Sequence, residues 1–352
     1  MGTEDPEDRL ARTQAYAALV VAILVLATVA VALALDRPDT QVDRSTWAYE
    51  MVQLEQANGL GWTGLGVIVG VVDTGVDMDH PTMRGVELVA WSDLVNGRET
   101  PYDDLGHGTA MASIILGRSP LRGGAPDARL VAVKVVDGDD QLAGDFDQAL
   151  ADGIDFCLDN GADVVSLSLG GDYESIDLLV GPATQAAISQ AVATGAVVVA
   201  AAGNDGASQD VSFPGRFTEV VSVGAVDKRG QLAPFSSRGN VSVERPDPHK
   251  KPEVVAPGVD VNTAHLGDNY AKGSGTSHST AMVSAVLAVA LSHNADLQRG
   301  GERGGNETVT MAIKTALVAT ARPLEGQVTP HDPKAGYGLV QAVDLAMELE
   351  GM

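Results

Sequence analysis

From Gly59 onward, short apolar runs alternate with stretches of helical periodicity. Val67–Val72, Leu130–Val136, Val164–Leu169, Val197–Ala201 and Val220–Val226 are rich in valine, bounded by polar residues or glycine. Near-continuous runs of this kind predict strands buried on both faces of a parallel sheet. Between them, Thr109–Leu116, Gln148–Leu158 and Thr184–Ala193 carry apolar residues at helical spacing. The alternation predicts an α/β class chain: a doubly wound, mostly parallel sheet flanked by helices. In such sheets the chemistry sits beyond the carboxyl ends of the strands. Pro246–Pro252 reads as a turn-rich surface loop, and Cys157, within the apolar stretch Ile154–Leu158, as a core residue.

The N-terminal pattern is different. Ala15–Leu35 carries no charge and is bounded by Arg12 and Asp36. A helix of that length spans roughly 30 Å, the thickness of a bilayer core. The expectation is an N-terminal transmembrane helix over 15–35, after a tail at 1–14 and before a linker at 36–46. A cleaved signal peptide, with Ala32-Leu33-Ala34 as its processing site, is the competing reading; the run exceeds the usual apolar core of a signal. Arginines flank both ends, so the charge rule does not choose an orientation.

Composition adds three constraints. With 47 acidic against 23 basic residues the formal net charge is −24, which excludes a basic nucleic-acid-binding face. A chain this acidic repels itself when compact, and the few lysines point to a salt-loving, halophilic source rather than an ordinary acidic secreted protein. A single cysteine excludes an intramolecular disulfide framework and a cysteine-rich metal site.

Four polar motifs stand against this background. Asp73-Thr74-Gly75 ends the first apolar run. Asp-Thr-Gly is also the aspartic-protease signature, but that chemistry needs a second such carboxylate, and a structural cap is the plain alternative. His107 lies between glycines ahead of a helical run, placed for proton transfer. Ser277, in Gly275-Thr276-Ser277, opens the apolar run Ala281–Leu291, where a helix N-terminus favours a developing oxyanion; an N-cap is the alternative. Asn204, just past a buried strand, is a candidate oxyanion donor.

Taken in order, Asp73, His107 and Ser277 with Asn204 resemble the subtilisin-like serine proteases. The resemblance covers roughly Trp47–Leu349. It is carried by Val71-Val72-Asp73-Thr74-Gly75-Val76-Asp77 with His80-Pro81, His107-Gly108-Thr109, Ser166-Leu167-Ser168-Leu169-Gly170-Gly171, Ala202-Gly203-Asn204, Phe235-Ser236-Ser237-Arg238-Gly239, Val255-Ala256-Pro257-Gly258 and Gly275-Thr276-Ser277. It implies a subtilisin-like peptidase domain over 47–352 and a serine endopeptidase working through an acyl-enzyme. Ser277 would be the nucleophile, His107 the general base and acid, and Asp73 the group that orients the imidazole. Asn204 and the Ser277 N–H would form the oxyanion hole, and Ser168, Leu169 and Gly170 would pair with an extended polypeptide substrate.

Three departures qualify the resemblance. The family usually continues its serine motif as Met-Ala-x-Pro-His, where this chain has His278-Ser279-Thr280-Ala281-Met282. The acid that binds the family's strong calcium is replaced by Thr82, so no metal ligand is assigned and no cofactor is expected; Asp77, Asp79, Asp139 and Asp140 leave room for a different calcium site. No room remains between Leu35 and Trp47 for the family's inhibitory propeptide. The expected whole is a single-pass cell-membrane protease with its catalytic domain outside. Its rivals are a binding protein that has kept the fold and lost catalysis, and a dimeric aspartic protease using Asp73.

Overall fold

Strand β1 (Ile68–Asp73) is buried along its whole length, because it lies in the middle of a seven-stranded sheet whose every pairing is parallel. The computed structural model describes residues 42–138, 143–169, 179–207 and 210–352. The apolar run 15–35 lies outside them, as do Asp139, Asp140 and Gly170. Among the described residues no helix is long and apolar enough to cross a membrane.

The remaining sheet strands are β2 (Leu88–Asp93), β3 (Arg129–Lys134), β4 (Val164–Leu167), β5 (Val197–Ala201), β6 (Val221–Val226) and β7 (Val254–Pro257), in the spatial order β2-β3-β1-β4-β5-β6-β7. A small antiparallel hairpin, β8 (Val261–His265) with β9 (Asn269–Gly273), stands apart. The described helices are α1 (Thr46–Met51), α2 (Leu54–Gly59), α3 (His107–Leu116), α4 (Phe146–Asp159), α5 (Pro182–Ala193), α6 (Thr276–His293), α7 (Glu307–Ala319) and α8 (Ala342–Glu350).

Successive side chains of β1 serve two different cores. Val69 and Val71 join α3 and α6 on one face, with Met111, Ile114, Val283 and Leu287. Ile68 and Val72 join α4 and α5 on the other, with Leu150, Ile154, Cys157 and Ile188. Two-sided burial explains why these strands read as unbroken apolar runs rather than as alternation. Cys157 is fully enclosed, and burial pushes its thiol far up, so it is not a nucleophile at working pH.

The expected strands form with shifts of one or two residues at their ends. The run 164–169 is strand only to Leu167, since Ser168 and Leu169 have left the sheet. The packed unit extends over Asp43–Met352, slightly longer than the expected 47–352. Its first residues are tied down by the Arg44 guanidinium, which bonds Arg122 O and Glu55, and by the Ser45 hydroxyl, which accepts the Asn262 N–H at 3.0 Å.

The chain winds from β1 to β2 and β3 on one side, then returns to lay β4 on the other side of β1. The sheet therefore has its topological switch at β1/β4, where ligands bind in open α/β folds. Asp73 is the last residue of β1, and Ser168 follows directly on β4.

Candidate active site

Asp73 is 1% exposed, and its Oδ1 lies 2.7 Å from Nδ1 of His107, whose side chain is 36% exposed. The same oxygen accepts the Thr74 N–H at 2.7 Å. An ionised carboxylate at that distance selects the tautomer with its proton on Nδ1, which leaves Nε2 to act as a base. Close approach of α3 to the end of β1 makes the pair possible: a Cβ at Gly108 would fall 2.1 Å from Gly75 O and 3.2 Å from the Asp73 Cβ. A residue with a side chain there would push His107 off its carboxylate.

The first turn of α3 has no side-chain cap from Gly106, its N-cap residue. Asp103 takes over that role. Its carboxylate accepts the N–H groups of Leu105, Gly106 and Thr109 at 3.1, 2.7 and 2.8 Å, and the hydroxyls of Thr74 and Thr109 at 2.9 and 2.7 Å. Thr74 Oγ1 in turn accepts the Gly108 N–H at 2.8 Å. One carboxylate thus ties the strand bearing Asp73 to the helix bearing His107. Close by, the buried Lys134 ammonium donates to Thr74 O at 2.7 Å and to Asp104 at 2.6 Å. Sequence reading assigned no role to Asp103 or Lys134. An acid four residues before the histidine and a lone charge inside a valine-rich strand were the available signals.

Ser277 is the second residue of α6, whose residues Thr276–Leu291 are all buried. Its hydroxyl donates to Ser168 O at 2.9 Å, while the Ser168 hydroxyl donates to Ser277 O at 3.3 Å. Ser168 and Leu169 are buried at 2% and 3% exposure.

Asn204 lies three residues beyond β5. Its Oδ1 accepts both the N–H and the hydroxyl of Thr276, each at 3.0 Å. That clamp fixes the amide so that Nδ2 is left to face the start of α6. A methyl group at Gly275 would stand 3.6 Å from Asn204 Nδ2 and 3.8 Å from Ser277 N, so both nitrogens border one open space. Two other sequence motifs brace these parts. Ser237 Oγ accepts the Asp205 N–H at 3.1 Å and Ser237 N donates to Gly203 O at 2.9 Å. Gly258 O accepts the Gly275 N–H at 2.8 Å, and the Ser279 hydroxyl donates to Ala256 O at 2.9 Å.

The family's calcium does not fit the residues at Thr82. The Thr82 hydroxyl is buried without a hydrogen-bond partner, and Asp77 Oδ1 is taken up by the N–H groups of Asp79 and His80 at 3.0 and 3.2 Å. Among the described residues no three His, Cys, Asp or Glu gather as a ligand set.

Asn204→Leu is expected to lower kcat by about 10²–10³ while KM stays within about twofold, because a clamped donor acts on charge that forms only in the transition state. The magnitude is that of the equivalent subtilisin asparagine, carried over to this chain. Steady-state kinetics on a peptide p-nitroanilide checks it, and a raised KM at normal kcat would place Asn204 in ground-state binding instead.

Residues 64–338 match the model of the subtilase family, Peptidase_S8. The chain is 34% identical over 281 residues to serine protease AprX of Bacillus subtilis (strain 168), covering 68% of this chain and 60% of AprX. It is 33% identical over 311 residues to the minor extracellular protease Epr of the same organism, covering 87% of this chain and 42% of Epr. Against subtilisin BL of Lederbergia lenta it is 34% identical over 251 residues, covering 70% and 84%. The chain therefore spans less than two thirds of the length of AprX and of Epr.

Proposed function

The chain belongs to the subtilase family, and on that footing we propose that it is a serine endopeptidase acting on polypeptides through Asp73, His107 and Ser277. The observation that carries the reading is the 2.7 Å bond between Asp73 and His107 at the sheet's switch point, with Ser277 at the head of the adjoining buried helix.

Ser277 Oγ bonds to the carbonyl carbon and gives its proton to His107 Nε2, while the carbonyl π pair moves onto oxygen. Asn204 Nδ2 and the Ser277 N–H stabilise that oxyanion. His107 then protonates the leaving amine, and water repeats the sequence on the acyl-enzyme. Asp73 holds the tautomer and balances the imidazolium. Ser168 and Leu169 follow directly on β4, and with Gly170, next in the sequence, they would pair with the substrate backbone. Incubating the full chain with casein, with and without a fluorophosphonate, tests the reading. Cleavage that stops when one adduct forms on Ser277 is expected; an adduct on another serine, or cleavage blocked by a statine instead, overturns it.

We further propose that Ala15–Leu35 anchors the catalytic domain at the outer face of a membrane. The support is its uncharged length and the extracellular designation of Epr. Carbonate washing and N-terminal sequencing decide it: a mature terminus at or after Leu35 with protein in the medium supports a signal peptide instead.

The −24 charge supports a need for salt. On α4 the acids Asp152, Asp155 and Asp159 stand close together, and burial, then the charges of Asp159 and Asp152, push the Asp155 carboxyl up. Screening shortens the Debye length from about 10 Å at 0.1 M to about 3 Å at 1 M. The melting temperature is expected to rise steadily with NaCl over that range. A flat melting temperature would rule the halophilic reading out.

A further inference from the structure

His278 takes the position after the nucleophile that methionine usually holds in this family. It is only 7% exposed, and its Nδ1 is buried without a hydrogen-bond partner. Such an atom is expensive to keep in a folded protein unless something arrives to bond it. The other edge of the ring is held by Gly273, where a Cβ would fall 2.0 Å from Nε2. The ring's Nε2 edge thus lies against the hairpin strand β9, and Nδ1 is on the side away from it.

The direction of Nδ1 is fixed by a third distance to the space over Gly275. A methyl group there would stand 3.6 Å from His278 Nδ1, as it does from Asn204 Nδ2, and 3.8 Å from Ser277 N. Three nitrogens from three different residues thus border one opening that glycine keeps clear. Two of them are the donors that the proposed mechanism assigns to the oxyanion. We propose that His278, through an Nδ1–H, is a third donor to the oxyanion formed at Ser277.

The inference rests on the serine-peptidase reading and deepens it. When Ser277 Oγ bonds to the carbonyl carbon, the π pair placed on oxygen meets donors from Asn204, Ser277 and His278, while the hydroxyl proton goes to His107. No net proton is exchanged by His278. Burial, and then the charge on His107, push its imidazole down to about 3, so it stays neutral at working pH with one N–H to place. Among the described residues Nδ1 has no hydrogen-bond partner to choose the tautomer, so the developing negative charge does. A neutral imidazole can serve as an electrophile in this way.

The test compares two variants of the full chain with the parent. In His278→Asn, the side-chain Nδ2 occupies the place of the imidazole Nδ1. His278→Met fills a similar volume with the family's usual residue and no donor. The readouts are kcat and KM on a peptide p-nitroanilide, the affinity of a peptide aldehyde whose hemiacetal presents the same oxygen, and the melting temperature. The Asn variant is expected to keep kcat within about threefold. The Met variant is expected to lose about tenfold in kcat and in aldehyde affinity at unchanged KM, less than the loss for a primary donor. A Met variant with parental kcat overturns the proposal. Equal losses in both variants, whether or not the melting temperature falls, also overturn it, because packing rather than a donor at the δ position would then be the cause. Fluorophosphonate labelling of Ser277 in the parent separates these outcomes from failure of the peptidase reading, in which case the proposal falls with it.

Discussion

Ser277→Ala is expected to lower kcat on a peptide p-nitroanilide by about 10⁶-fold, the loss subtilisin shows without its own serine. In the proposed reading this hydroxyl becomes the acyl carrier, and the neighbouring Ser168 offers its carbonyl, not its hydroxyl oxygen, to Ser277. The fold should survive the change. What is lost structurally is one bond to Ser168 O, worth about 1 kcal/mol, at the end of a helix whose other contacts are untouched. Active-site titration, kcat and thermal melting together check the prediction. Residual activity above a thousandth of the parent would mean that another group carries the acyl chain.

The second large effect is on stability. Glu253 lies 2.8 Å from Lys251 Nζ and 2.7 Å from Lys314 Nζ, and all three side chains are at most 1% exposed. Its other oxygen accepts the Ser222 N–H at 2.8 Å, which locks the carboxylate onto β6. One buried carboxylate thus balances two ammonium groups. Glu253→Gln leaves both without a counter-charge and is expected to destabilise the fold by about 3–5 kcal/mol, measured by urea unfolding. A loss below about 1 kcal/mol would show that the lysines already share their charge with Val220 O and Thr218 O.

The same cluster predicts a pH dependence. Burial pushes Lys251 down to about 7, Lys314 pushes the same way, and Glu253 opposes them. Between about 7 and the ordinary lysine value of 10.5, the unfolded chain holds a proton that the folded chain has released. Stability should therefore rise with pH through that window. Lys251→Met should remove the rise, since Glu253 and Lys314 remain as a balanced pair.

The sheet was legible because two-sided burial writes itself as valine runs. β2 was missed because it is an edge strand, with Val89 exposed, Trp91 half-buried and the polar Ser92 and Asp93 at its end. β7 was missed because it is four residues long and ends in proline. Asp73, His107, Ser277 and Asn204 could be singled out as candidates because polar residues close to glycines are conspicuous in an apolar chain. Their supports could not. Asp103 looks like any loop acid until its five hydrogen bonds are traced, and Lys251, Glu253 and Lys314 belong to segments that meet only in the folded sheet. Lys134 was visible as a lone cation within Leu130–Val136, and the fate of its charge was the question to ask there.

Helix α6 carries Ser277 at one end and is buried from Thr276 to Leu291, between the sheet and helices α3 and α8. Beyond its first turn, its amides are shielded by packing on every side and exchange through large openings of the domain. Inactivation on heating and loss of structure should therefore be a single event, with no loosened form that still cuts. Under the endopeptidase activity proposed above, the first molecules to unfold would be substrate for every molecule still folded. The lifetime of a concentrated solution would then be set by the opening rate of its most buried helix.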